Sequence, residues 1–183
     1  MQELSLNILD IAQNSIRAEA RMVEISVDED TVRDTFTITI RDDGCGMTEE
    51  QVRRVIDPFC TTRTTRKVGL GLPFFKMAAQ MTGGDLTIQS QVGKGTAVTA
   101  VFGRSHIDRM PLGDIAGTMS CLIGANPQVD FVYRHTLDGE EFVADTRQFR
   151  EILGDVPLNS PEVVQFITEY IEENSRNLTG TPC

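Results

Sequence analysis

Residues 36–47 read FTITIRDDGCGM, an alternating apolar segment that runs directly into two aspartates and a glycine-rich loop. Phe36, Ile38 and Ile40 fall on one side, the pattern of a strand with one buried face. Gly44 and Gly46 permit positive φ and let the backbone approach a ligand closely. Upstream, residues 22–28 (MVEISVD) alternate as well, with Val23, Ile25 and Val27 on one side. The charged stretch between the two segments predicts a hairpin. Downstream, Thr48 followed by Glu49 and Glu50 predicts a helix over 49–56.

Working outward, residues 3–18 read as a helix with Leu4, Ile8, Ile11, Ser15 and Ala18 on one face. Asp10 and Asn14 lie four apart and project together. Such a carboxylate and amide can hold magnesium and orient a water, since Mg²⁺ takes oxygen ligands; a solvated polar face presents the same pair. A carboxylate at position 42, ending a strand, can accept from an exocyclic amine such as adenine's; an ordinary strand-to-helix turn reads the same way. Residues 57–71 read as a loop. Gly69-Leu70-Gly71-Leu72-Pro73 opens a helix over 72–82, with Pro73 where a missing N–H costs little. Backbone N–H groups at such a terminus bind phosphate, and Arg63, Arg66 and Lys67 upstream can neutralise it. Gly83 and Gly84 end that helix. Strands 85–90 and 96–102 follow.

Beyond residue 104 the texture changes. A small-residue helix over 112–125 precedes strands 129–136 and 140–145, which flank the hairpin turn Asp138-Gly139. A short helix over 146–153 follows. Ser160-Pro161 then opens a last helix with the stripe Val163, Phe166, Ile167, Tyr170 and Ile171, frayed beyond Asn174.

The chain has 183 residues, 40% hydrophobic and 24% charged, as in ordinary globular proteins. Its net charge of −10 is uneven. Residues 1–104 hold 12 basic against 14 acidic side chains, and residues 105–183 hold 5 against 13, a net −8. Nucleic acid and an anionic membrane both select a basic face, so neither is expected as a partner. The acidic segment suits a basic protein surface or simple solubility. Nothing approaches a membrane-spanning run, and the first residues lack a secretion signal's pattern. Cys45, Cys60, Cys121 and Cys183 show no metal-type spacing and suit reduced cytosolic thiols.

Taken together, these segments resemble the GHKL ATPases, the Bergerat-fold superfamily of gyrase B, the heat-shock chaperone ATPase, histidine kinases and MutL. LDIAQNS resembles the N box. RDDGCGM resembles the first glycine box, with Asp42, Gly44 and Gly46 matching D-x-G-x-G. DPFCTTR resembles the histidine-kinase F box at Pro58, Phe59, Thr61 and Thr62. GLGL resembles the second glycine box, and Gly93-Lys94-Gly95-Thr96 the last. The resemblance covers residues 1–103 and implies a two-layer α/β sandwich, with residues 105–183 as a small α/β C-terminal appendage to a 1–104 ATP-binding domain.

It further implies ATP and Mg²⁺ as ligands. Asp42 would accept from the adenine amino group, directly and through a water shared with Thr96. Asn14 would ligate Mg²⁺. Gly44 and Gly46 would leave room for the base, and Met47 would pack near it. Gly69, Leu70, Gly71 and Leu72 would hold the phosphates. Residues 59–68 would form a lid, with Thr62, Arg63 and Lys67 in reach of the nucleotide. Hydrolytic members carry a glutamate where this chain has Asp10, so Asp10 is the candidate general base. Ser105-His106-Ile107-Asp108-Arg109-Met110-Pro111 partly resembles the kinase histidine box, which makes His106 a candidate phosphoacceptor; an exposed linker histidine is the alternative. Two readings follow: a cytoplasmic protein kinase acting on a response regulator, a sigma-factor system or another signalling protein, or a slow ATPase switch. A homodimer fits either. An ATP-responsive adaptor without turnover is a third.

Overall fold

A computed structural model describes residues 3–57 and 70–180. Twelve elements occur among them: α1 (Leu4–Arg17), β1 (Met22–Asp30), β2 (Thr35–Asp42), α2 (Glu49–Ile56), α3 (Gly71–Met81), β3 (Asp85–Gln91), β4 (Gly95–Gly103), α4 (Ile115–Ala125), β5 (Asp130–Leu137), β6 (Glu140–Asp145), α5 (Thr146–Leu153) and α6 (Pro161–Thr179). The strands form one sheet in the order β3-β4-β2-β1-β5-β6. Every neighbouring pair is antiparallel except β1 and β5, which run parallel from Met22 opposite Asp130 to Glu29 opposite Leu137. The stretches before and after residue 104 thus share a single sheet.

The alternation of the strands decides which face is covered. Val23, Ile25 and Val27 of β1 stand level with Ile40 and Ile38 of β2 and with Phe131 and Tyr133 of β5, and all are buried. Facing them, α1 contributes Leu4, Ile8 and Ile11, each essentially inaccessible; burying each such side chain is worth about 1.5–3 kcal/mol. α1 packs between α3 and α4, and α4 packs on α6. The result is a two-layer α/β sandwich. Phe36, Phe75 and Phe102 meet in one aromatic cluster beneath α3, with rings 5.6 and 6.3 Å apart.

Several local choices agree with the sequence. Thr48 caps α2 and Gln51 returns the bond, a capping box. Asp138 and Gly139 both take positive φ in the β5–β6 turn. Asp114 caps α4, and Asp145 caps α5. α1 has no side-chain cap. Instead, Leu4 N–H donates to Pro111 O at 3.0 Å and Ser5 N–H to Leu112 O at 2.8 Å. The segment that enters α4 therefore satisfies two of the orphan donors of the first helix.

The expected fraying beyond Asn174 is not seen. α6 continues to Thr179 and closes on Gly180 in the left-handed conformation. The last turns hold themselves together: Asn174 donates to Tyr170 O at 2.7 Å, and Arg176 pairs with Glu172 four residues earlier.

A buried polar cluster pins β5 to β1. Glu29 Oε1 lies 3.0 Å from His135 Nε2, and Arg104 Nε donates to Glu29 Oε2 at 3.0 Å. The Tyr133 hydroxyl sits 3.3 Å from His135 Nδ1. Burial, and secondarily the neighbouring Glu29 charge, push the Tyr133 hydroxyl far above its ordinary pKa. Burial alone would raise the Glu29 carboxyl. The hydrogen bonds and positive charge of His135 and Arg104 outweigh it and hold Glu29 below the usual carboxylate value.

Candidate functional site

At one end of the sheet, Asp42 of β2 stands opposite Val23 of β1 and Thr96 of β4. Its carboxylate is fixed from two sides. Ser15 of α1 donates to Oδ2 at 2.5 Å, and Gly44 N–H donates to Oδ1 at 2.9 Å. Each oxygen keeps a lone pair for another donor. The next residue, Asp43, does different work. Its Oδ1 accepts from the N–H groups of Arg21 and Met22 at 2.8 and 2.9 Å, closing the entry to β1.

Across β4, Thr96 Oγ1 lies 2.8 Å from Ser90 Oγ, which also accepts from Met47 N–H at 2.7 Å. The loop after β2 is thereby tied to β3, so Met47 and Thr96 sit at the same end of the sheet as Asp42. Gly46 has φ +69°, and a Cβ there would lie 2.0 Å from Gln91 O. No other residue fits that approach. A concavity of 440 Å³ lies between α2 and β3, lined by Val52, Ile88 and Ser90. A second, of 520 Å³, reaches Asp42 and Thr96 but is lined mainly by Thr39, Arg41, Gln89, Ala97 and Thr99, on the sheet face turned away from the helices.

The opposite wall is α1 and the start of α3. Asp10 is exposed and Asn14 half-buried, one turn apart on α1. A Cβ on Gly71 would lie 3.2 Å from both Asp10 Cβ and Asp10 Oδ2, so the first turn of α3 rests directly against that carboxylate. No side chain caps α3. Phe74 N–H bonds back to Leu70 O and Pro73 has no N–H; the N–H groups of Gly71 and Leu72 have no hydrogen-bond partner among the described residues. Asn14 Oδ1 accepts from Arg17 at 3.3 Å, an exposed bond that a stronger ligand can displace.

The donor set suits magnesium. Asp10 and Asn14 offer two oxygens and leave positions for water and phosphate, which is how Mg²⁺ is usually held. Among the described residues, no group of three or more His, Cys, Asp or Glu side chains is placed to hold a metal unaided.

The structure thus brings Asn14, Asp10, Asp42, Gly44, Gly46, Met47, Leu70, Gly71, Leu72 and Thr96 to one region between α1, α3 and the sheet end. Pro58, Phe59, Cys60, Thr61, Thr62, Arg63, Lys67 and Gly69, and with them the expected lid, lie outside the described residues. His106 is elsewhere. It occupies an exposed turn against Gly103, which pairs with Thr35 at the far end of β2. Seven residues separate Thr35 from Asp42, about 23 Å at the rise of a strand. His135 is buried in the Glu29 cluster.

Two supporting residues escaped the sequence reading of the site. Ser15 was legible only as the one polar member of the sheet-facing stripe of α1. Ser90 carried no signal, because its value lies in facing Thr96 across the β3–β4 pair.

Comparison with known proteins bears on the family and the fold. Residues 2–105 match the family model described as histidine kinase-, DNA gyrase B-, and HSP90-like ATPase. A putative sensor protein of Shewanella frigidimarina is 32% identical over 109 residues, 58% of this chain and 17% of that protein. The sensor histidine kinase WalK of Bacillus subtilis is 32% identical over 106 residues, 54% of this chain and again 17% of that protein. The chain therefore spans under a fifth of those relatives. Among solved structures, the MutL ATPase domain of Aquifex aeolicus complexed with ADP aligns with a TM-score of 0.52 at 14% identity, covering 84% of this chain and 69% of that one. That likeness is one of fold.

Proposed function

The chain belongs to the family of histidine kinase-, DNA gyrase B- and HSP90-like ATPases, and from that premise we propose that it binds Mg·ATP between α1, α3 and the end of the sheet and phosphorylates a protein partner. The observation that carries the proposal is Asp42, fixed by Ser15 and Gly44 with acceptor capacity to spare, beside the uncapped start of α3. Asp42 receives the adenine amino group, and Thr96, one strand over, shares a water with it. Met47 packs beside the base. The N–H groups of Gly71 and Leu72, at the positive end of the helix dipole, hold phosphate oxygens. Asn14 and Asp10 would hold magnesium, which screens the triphosphate and its leaving group during phosphoryl transfer.

The acceptor is a residue of another protein, of the response-regulator or sigma-factor class. His106 stands about 23 Å of strand away from Asp42 and receives no phosphoryl group within the same chain. The test is incubation with γ-labelled ATP and candidate partner proteins. Label is expected on the partner and absent from His106; no labelled protein under any pairing would remove the kinase reading.

Contact of Asp10 with the first turn of α3 favours a second reading, hydrolysis by a slow switch. A carboxylate there can orient and deprotonate a water. On that reading Asp10→Ala is expected to lower phosphate release about a hundredfold or more while ATP still binds. Unchanged turnover in the variant would take Asp10 out of the mechanism.

A further inference from the structure

The outer face of α6 carries a solvent-exposed stripe. Glu162, Phe166, Glu169 and Glu173 recur at intervals of four, three and four, so they share one side of the helix. Phe166 is 51% exposed. Its ring is nonetheless held: it stands edge-on to Phe149 and tilted against Tyr170, each at 6.2 Å. Ile152, one turn beyond Phe149 on α5, is 81% exposed, and Val156 in the following loop is 49% exposed. Scattered apolar side chains are ordinary at a surface; an aromatic ring fixed on a packed layer beside exposed aliphatics forms a patch.

The charges around it are one-sided. The three arginines of α5 and α6 are already engaged: Arg147 with Asp145, Arg150 with Asp130 and Arg176 with Glu172. Glu162, Glu169 and Glu173 have no cationic partner among the described residues. They belong to the segment 105–183, whose net charge is −8.

We infer that this face docks a cationic amphipathic segment of a partner protein. An apolar side chain of the partner seats on Phe166 and Ile152, and its lysines or arginines meet Glu162, Glu169 and Glu173. An arginine also finds the face of the Phe166 ring. Charge complementarity selects this occupant over a second copy of the chain, because a two-fold contact would set these carboxylates against themselves. The surface lies beyond the residues matched by the ATPase family model, so the inference stands independently of the nucleotide reading.

The test uses the full chain and a labelled amphipathic helical peptide built from leucine and lysine, followed by fluorescence anisotropy. Saturable one-to-one binding that weakens with salt is expected. Phe166→Ala, and separately the triple variant Glu162→Gln, Glu169→Gln, Glu173→Gln, should each weaken it about tenfold or more. A control triple at exposed positions elsewhere, Glu24→Gln, Asp28→Asn, Glu140→Gln, removes the same charge and should leave binding unchanged. Absence of binding, or equal loss in both triples, overturns the proposal. So does a dimer in sedimentation that Phe166→Ala dissolves, since the face would then belong to a second copy.

Discussion

Asp42→Ala is expected to lower the affinity for ATP about a hundredfold or more, while the folded protein persists. The carboxylate takes bonds from Ser15 at 2.5 Å and Gly44 at 2.9 Å and is only partly buried, so its loss leaves two local donors for water to satisfy. A hydrogen bond to a charged group contributes about 1.5–3 kcal/mol, and the water shared with Thr96 goes with it; 2.7 kcal/mol is about a hundredfold. Asp42→Asn separates charge from shape. Its amide oxygen can still accept from Ser15, but the NH₂ group then faces either the Gly44 N–H or the adenine amine, two donors opposed. Both variants should bind weakly, as read by a fluorescent ATP analogue. If Asp42→Asn binds like the parent, the carboxylate does not read the base.

The second large effect concerns stability. Glu29→Gln is expected to destabilise the fold by about 3 kcal/mol, the lower end for breaking a buried ion pair, because Arg104 is one-third exposed. The substitution removes the carboxylate charge beside His135, which is 2% exposed and whose ring otherwise hydrogen-bonds, among the described residues, only to the Tyr133 hydroxyl. The sign of the pH dependence follows from the direction of the shift. Glu29 has a lowered pKa in the folded state, so its contribution is fully present above the ordinary glutamate value near 4.3 and is lost as pH falls through the lower folded value. Urea midpoints of parent and Glu29→Gln should therefore differ most near neutrality and converge in acid. A gap that stays constant with pH would show that the charge of Glu29 is not what joins β5 to β1.

This cluster also marks where the sequence stopped being informative. The pattern of β1 and β2 was plain, because alternation over Val23, Ile25 and Val27 and over Phe36, Ile38 and Ile40 is a local signal. So were the caps at Thr48 and the turn at Asp138-Gly139, which need only their own side chains. The D-x-G-x-G and N-box residues around Asp42 and Asn14 could be picked out for the same reason: each motif is contiguous. That β5 lies parallel beside β1 could not be read, since the choice depends on residues more than a hundred positions apart, such as Glu29 and His135. The use of Pro111 and Leu112 carbonyls to cap α1 is equally non-local. The length of α6 was missed because its last turns rely on Asn174, Arg176 and Gly180, polar residues that look like a frayed end until their partners one turn back are counted.

The measurement that bears most directly on nucleotide binding is calorimetric titration of the full chain with ATP in the presence of magnesium. One site per chain is predicted, competed by ADP and lost in Asp42→Ala. No heat from ATP, ADP or a non-cleavable analogue, or equal heat from parent and Asp42→Ala, would contradict it.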